Sequence, residues 1–310
     1  MLKSNDELKK EILRIFPNNL RGVLDSIKID FRLLLEIRIR VNKPILIYYD
    51  NEEYFINIKN GLVKYPEDAY MITIDEVKES LQYICNYSLY AYENEIKKGF
   101  ISVKGGNRIG ICGKVISENG CIKNIRNISS INIRIAKEIK GCADELMKYI
   151  YNEKNNIANT LIISPPGCGK TTMLRDMIRQ ISTMGKTVGV VDERCEIGAC
   201  EFGIPGNDLG LRTDILDACP KSEGIMMLIR SMSPKVIAVD EIGSREEEKA
   251  IQYGIHSGCS FISTIHADSI EEYFKKNNNE IFSRLILLSG KRGPGTLEGI
   301  YDSKGVRIFD

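Results

Sequence analysis

No tryptophan occurs in these 310 residues, histidine occurs only twice, and no apolar run approaches the roughly 18 residues that a membrane-spanning helix needs. A membrane-spanning helix is therefore not expected, and any membrane association is expected to run through a partner or a surface. Charge of one sign is also lacking. The formal net charge is +1, with Lys+Arg 43 against Asp+Glu 42. Residues 1–140 hold 23 of the bases and 18 of the acids (+5), which leaves 20 and 24 (−4) for the rest. A split this small, without aromatic residues interleaved among bases, is a poor footprint for nucleic acid. The nine cysteines form no C-x-x-C pair and no zinc spacing, so they read as small core residues of a reducing compartment. The N-terminal "MLKSNDELKKEILRIF" mixes acids and bases on an amphipathic pattern, unlike a signal or transit peptide.

What is present changes character along the chain. Residues 5–28 read as two short helices broken at "PNN". "EIRIRVNKPILIYY" reads as a strand pair turning at Asn42-Lys43-Pro44. A helical period runs from Thr73, with Glu76 at capping-box spacing, to a stop at Gly99. "FISVKGGNRIGICGKVI" and "INIRIAKEI" (131–139) return to strand alternation, and "KKNNNE" (275–280) reads as a surface loop. The expectation is an α+β domain over 1–135 without a chemical cluster, followed by an α/β domain over 136–310. In that second part, 160–164, 187–192, 235–240 and 260–265 are short, β-branched and largely apolar, as strands of a mostly parallel sheet covered on both faces should be.

The first of these strands leads into "SPPGCGKTT", residues 164–172. A strand, a glycine loop and a helix start form a nest of backbone N–H groups for phosphate oxygens, so Ser164, Pro165, Pro166, Gly167, Cys168, Gly169, Lys170, Thr171 and Thr172 are the expected ATP-binding residues. Ser164 stands where the usual pattern has glycine. Because a residue before proline prefers extended angles, it suits a strand end. Lys170 would reach the β- and γ-phosphates, and Thr171 would hold Mg²⁺.

"VIAVDE" adds Asp240 as a second Mg²⁺ ligand and Glu241 as a candidate catalytic base. "VVDERCE" brings the competing base Glu193, beside Asp192, Arg194 and Glu196. "STIHAD" offers Thr264 and His266 as sensors of the γ-phosphate, and Arg134, Arg212 and Arg230 are candidate arginine fingers.

The runs "DERCEIGA", "LRTDILDACPKSEGIMMLIRSMSPKVIAVDEIG", "STIHAD", "GPGTLEGIYD" and "KGGNRIGICGK" resemble the stage III sporulation protein AA family of endospore-forming bacteria, over the whole chain. That family is similar to the RecA-like, ring-forming secretion ATPases. The resemblance implies an acid box at Glu193 and Glu196, a histidine box at His266, and nucleotide lying between domains near a neighbouring subunit. It further implies a hexamer in the mother-cell cytoplasm, peripheral to the membrane through a channel assembly. An ATPase energising that assembly is the leading expectation. A nucleic-acid-stimulated ring ATPase and a non-hydrolysing nucleotide-dependent scaffold are the alternatives.

Overall fold

The computed structural model describes residues 4–103, 105–136, 139–152, 156–276 and 281–309. The chain divides into two compact units, Met1–Lys137 and Glu138–Asp310.

The first unit opens with helices α1 (Asn5–Leu13) and α2 (Asn18–Asp25), separated where Pro17 caps the second. Ser4 and Glu7 close a capping box on α1. Strands β1 (Leu34–Arg40), β2 (Leu46–Tyr49), β3 (Glu52–Asn57) and β4 (Gly61–Val63) follow, then α3 (Ile74–Ile84) and α4 (Glu93–Lys98), and finally β5 (Phe100–Val103), β6 (Asn107–Glu118) and β7 (Cys121–Arg134). The sheet order is β4-β3-β2-β1-β7-β6-β5, every pair antiparallel. One face carries the core, through Ile37, Ile39, Ile109, Ile111, Ile131 and Ile133 packed with Phe16, Phe31 and Val77.

Two expectations need correction here. The helical stretch from Thr73 to Gly99 is not one helix: Asn86 and Tyr87 take φ +47° and +60°, a left-handed turn that no α-helix passes through, and a short 3₁₀ segment separates α3 from α4. The strand expected at 131–139 begins ten residues earlier, because Asn119 and Gly120 fold β6 directly onto β7. Residues 137 and 138 of that stretch, and 277–280 of the expected surface loop, lie outside the described residues.

The second unit contains α5 (Asp144–Met147), β8 (Thr160–Ser164), α6 (Lys170–Thr183), β9 (Val188–Asp192), β10 (Thr213–Asp217), α7 (Lys221–Ser231) and β11 (Val236–Val239). It continues with α8 (Arg245–His256), β12 (Ser260–His266), α9 (Ile270–Lys276), β13 (Arg284–Ser289), β14 (Thr296–Tyr301) and β15 (Arg307–Phe309). The sheet runs β10-β9-β11-β12-β8-β13-β14-β15, parallel through β13 and antiparallel beyond it.

Successive residues of the central strands go to opposite cores. Ile162, Val188, Val190, Val236, Ala238 and Ile262 pack with α6, whereas Leu161, Ile163, Val191, Ile237, Val239 and Phe261 pack with α7, α8 and α9. Burial on both sides is why these strands are apolar without alternation. The fold is thus α/β with a mostly parallel sheet, and the carboxyl ends of β8, β9, β11 and β12 share one edge.

Candidate active site

Four strand ends and one helix start assemble the site. At β8, Ser164 is fully buried, and the loop that follows bends at Gly167 and Gly169, φ +74° and +85°, where a side chain would be strained. Gly169 caps α6, so the first backbone N–H groups of that helix lack intrahelical acceptors and are oriented for an anion.

Lys170, 6% exposed, turns its ammonium back along the loop. Nζ donates to the Ser164 carbonyl at 3.3 Å, the Ser164 hydroxyl at 3.4 Å and the Pro165 carbonyl at 3.2 Å, and it lies 3.0 Å from His266 Nδ1. Burial holds this ammonium below the ordinary lysine range, against the pull of Asp240 and Glu241. Ser164 therefore does more than close a strand, since its hydroxyl is one of the lysine's acceptors.

Register brings His266 to the same place, because β12 pairs with β8 so that His266 stands opposite Ser164. An imidazole carrying its proton on Nε2 satisfies both neighbours: Nε2 donates to Glu241 Oε1 at 2.9 Å while Nδ1 accepts from Lys170. Glu241 has φ +53°, outside the usual range for a side-chain-bearing residue, and its N–H is held by Thr264 Oγ1 at 2.8 Å. Thr264, fully buried, also donates to Asp240, whose other oxygen accepts from Thr171 Oγ1 at 2.7 Å. A hydroxyl and a carboxylate meeting at the mouth of a phosphate loop fit a hard divalent cation such as Mg²⁺.

The acid segment after β9 behaves differently. Asp192, 1% exposed, accepts the backbone N–H groups of Glu196, Ile197 and Gly198 at 2.8–2.9 Å, which folds the segment into a fixed loop. Burial pushes its carboxyl up to about 6, with the facing Asp217 adding to the rise against those three bonds. Arg175 of α6 fastens the same loop by donating to the carbonyls of Glu196 and Ile197. Glu193 pairs at 2.7 Å with Lys221, a lysine only 7% exposed that also meets Glu247 at 3.4 Å. Arg194 reaches the other way, to Glu241. The two candidate bases are thus separated: Glu241 lies with Lys170, His266 and Asp240, and Glu193 with Lys221.

Neither Arg212 nor Arg230 sits in this cluster, and Arg134 belongs to the first unit. Arg212 donates to the Ser182 carbonyl, near the far end of α6; Arg230 is exposed in the last turn of α7; Arg134, in the first unit, pairs with Glu36. An arginine that does touch the cluster is Arg194, through Glu241. Sequence reasoning missed its role and that of Lys221, although "DERCE" places Arg194 one residue beyond Glu193. Lys221 offered no signal, because its burial depends on how α7 packs. No helix among the described residues is long and apolar enough to cross a membrane.

The family profile described as "Sporulation stage III, protein AA" matches residues 6–308. Stage III sporulation protein AA of Bacillus subtilis (strain 168) is 41% identical over 307 residues, 95% of this chain and 95% of that protein. Among solved structures, the Legionella pneumophila ATPase DotB superposes with a TM-score of 0.53 at 13% identity, covering 87% of this chain and 75% of that one. The pilus retraction motor PilT, solved with bound ADP, gives 0.55 at 14% identity, covering 89% and 77%. At such identities the structural likeness speaks for the fold alone.

Proposed function

Since this chain belongs to the sporulation stage III, protein AA family and has the RecA-like fold of secretion ATPases, we propose that it is an ATP hydrolase acting in endospore formation. The observation that carries this reading is the convergence of Lys170, Thr171, Asp240, Glu241 and His266 from three adjacent strand ends. A phosphate loop alone only binds. A carboxylate fixed beside the lysine and the cation ligands adds a group able to take a proton from water.

In this reading the N–H groups of residues 167–171 and Lys170 hold the phosphates. Thr171 and Asp240 would hold Mg²⁺, which supplies neutralisation of phosphate charge when bound. Glu241 orients and deprotonates the attacking water, with its side chain placed by His266 on one oxygen and Arg194 on the other. Thr264 fixes both Asp240 and the backbone of Glu241, so it sets the distance between cation ligand and base. His266, touching both Lys170 and Glu241, is placed to report phosphate occupancy to the base.

We assign Glu193 a supporting role, because it pairs with Lys221, whereas Glu241 is the glutamate joined through His266 to Lys170. A ring of six copies, peripheral to a membrane channel on the mother-cell side, completes the proposal. Arg134, Arg212 and Arg230 then remain the arginines available for a charge supplied across a subunit boundary. Steady-state phosphate release by the purified chain tests the assignment. Lys170→Ala lowers turnover by about 10²–10³-fold, in line with the loss of a directed electrostatic group, while the melting transition stays in place. Equal rates for the two proteins would sink it.

A further inference from the structure

A lysine at the first position of a helix works against both the helix dipole and burial. The N-terminal end of a helix repels a cation, and a closed site strips an ammonium of water, yet Lys221 opens α7 behind Pro220 and is buried. Two carboxylates from different elements hold it there. Its Nζ donates to Glu193 Oε2 at 2.7 Å, in the segment after β9, and to Glu247 Oε1 at 3.4 Å, in the first turn of α8. Burial draws this ammonium down, but the bonds and charges of Glu193 and Glu247 outweigh it and hold it above the ordinary lysine range.

Each end of this bridge continues toward the candidate base. Glu247 accepts with its other oxygen, Oε2, from the N–H groups of Gly243 at 2.8 Å and Ser244 at 3.1 Å. Those residues lie two and three beyond Glu241, so the carboxylate that meets Lys221 also holds the chain leaving the base. On the other side, Glu193 is followed directly by Arg194, which pairs with Glu241. The 193–194 and 241–244 segments are thus linked twice, once by Arg194 on Glu241 and once through Lys221.

The post on which the bridge stands is fixed. Gly224, one turn along α7 from Lys221, leaves no room for a side chain, since a Cβ there would meet Val191 of β9 at 2.5 Å. The Ala218 N–H, just ahead of α7, donates to the Asp192 carbonyl at 2.8 Å. The start of α7 is therefore pinned against the end of the strand from which Glu193 and Arg194 emerge. We propose that Lys221 and Glu247 are positioning residues for hydrolysis: they fix the 193–194 segment against the 241–244 segment and so hold Arg194 on Glu241. The proposal rests on the ATP-hydrolase reading above.

Glu247→Gln separates this role from that of a helix cap. A glutamine amide oxygen still accepts from Gly243 and Ser244, as a capping box allows, but its NH₂ group then faces Lys221 where a carboxylate oxygen stood. In steady-state phosphate release by the full chain, Glu247→Gln should lower kcat about threefold to tenfold, with KM for ATP within about twofold and the melting transition in place. Made in an Arg194→Ala chain, the same change should cost less than about twofold, because the contact it secures is already gone. Lys221→Met should follow the same pattern in both backgrounds. A wild-type kcat for Glu247→Gln, a loss confined to KM, or equal losses with and without Arg194 overturns the proposal. Lys170→Ala, run alongside, keeps the two readings apart. If it hydrolyses ATP as fast as wild type, the hydrolase reading falls and the bridge with it; an inactive Lys170→Ala beside an unaffected Glu247→Gln removes the bridge alone.

Discussion

The two units solve the same problem of covering a sheet in opposite ways. In the first, an antiparallel sheet buries one face, its edges and hairpins stay wet, and its polar groups serve local structure: Glu76 closes the α3 capping box and accepts from the Tyr70 hydroxyl at 2.5 Å. In the second, the parallel sheet buries both faces, and polar side chains gather toward the strand ends. There Lys170, Asp192, Lys221 and Thr264 are all less than 9% exposed, and each depends on specific partners. In the first unit the buried Glu76 buttresses a helix cap; in the second the buried Lys170, Asp192 and Thr264 stand at the carboxyl edge of the sheet. That contrast separates a scaffold from a site more clearly than any single motif does.

The contrast can be broken by perturbing each unit in the interaction it is said to depend on. Phe31, 1% exposed, packs among the isoleucines of the first core, and Phe31→Ala should cost about 3–5 kcal/mol in chemical denaturation. A cost below about 1 kcal/mol would mean that the first unit is not held by its apolar face.

A smaller effect is expected from charge in the second unit. Because the folded-state value of Asp192 is raised from 3.8 to about 6, its favourable contribution is fully present below pH 3.8 and is lost as pH rises through about 6. Ionising it at pH 7 costs the folded state about 2–3 kcal/mol, at 1.36 kcal/mol per unit. Urea midpoints at pH 5, 6 and 7 should therefore fall more steeply for the wild type than for Asp192→Asn; parallel slopes would contradict the assignment. The smallest effect comes from Thr73→Ala, which removes the α3 cap and should cost about 1 kcal/mol, read as a shift in the denaturation midpoint.

Much of the second unit was legible in the residues, and the reason is physical. Strands β8, β9, β11 and β12 are largely apolar because both faces are covered, and their shortness and β-branched residues set them apart from helices. The edge strand β10, "TDILD", is half exposed and carries acids at both ends of its central apolar pair, so it shows neither period clearly. Strand β7 escaped notice over its first ten residues because that part of the hairpin is largely solvent-facing. The break between α3 and α4 was invisible to periodicity, which registers spacing of apolar residues and not the handedness of Asn86 and Tyr87.

The site divides along the same line. Residues that follow a strand directly, such as Asp240, Glu241, Thr264 and His266, inherit their position from the sheet. Partners that arrive through tertiary packing, Lys221 on Glu193 and Arg194 on Glu241, become visible only in three dimensions. That pairing is what distinguishes two glutamates that sequence alone left as equals.

The separation of those two glutamates is tested most directly by steady-state phosphate release from Glu241→Gln and Glu193→Gln at saturating ATP and Mg²⁺. Loss of a general base typically costs about 10²–10⁴-fold. The account predicts a loss in that range for Glu241→Gln with ATP affinity retained, and a rate within about tenfold of wild type for Glu193→Gln. Turnover lost at Glu193 and kept at Glu241 would contradict it.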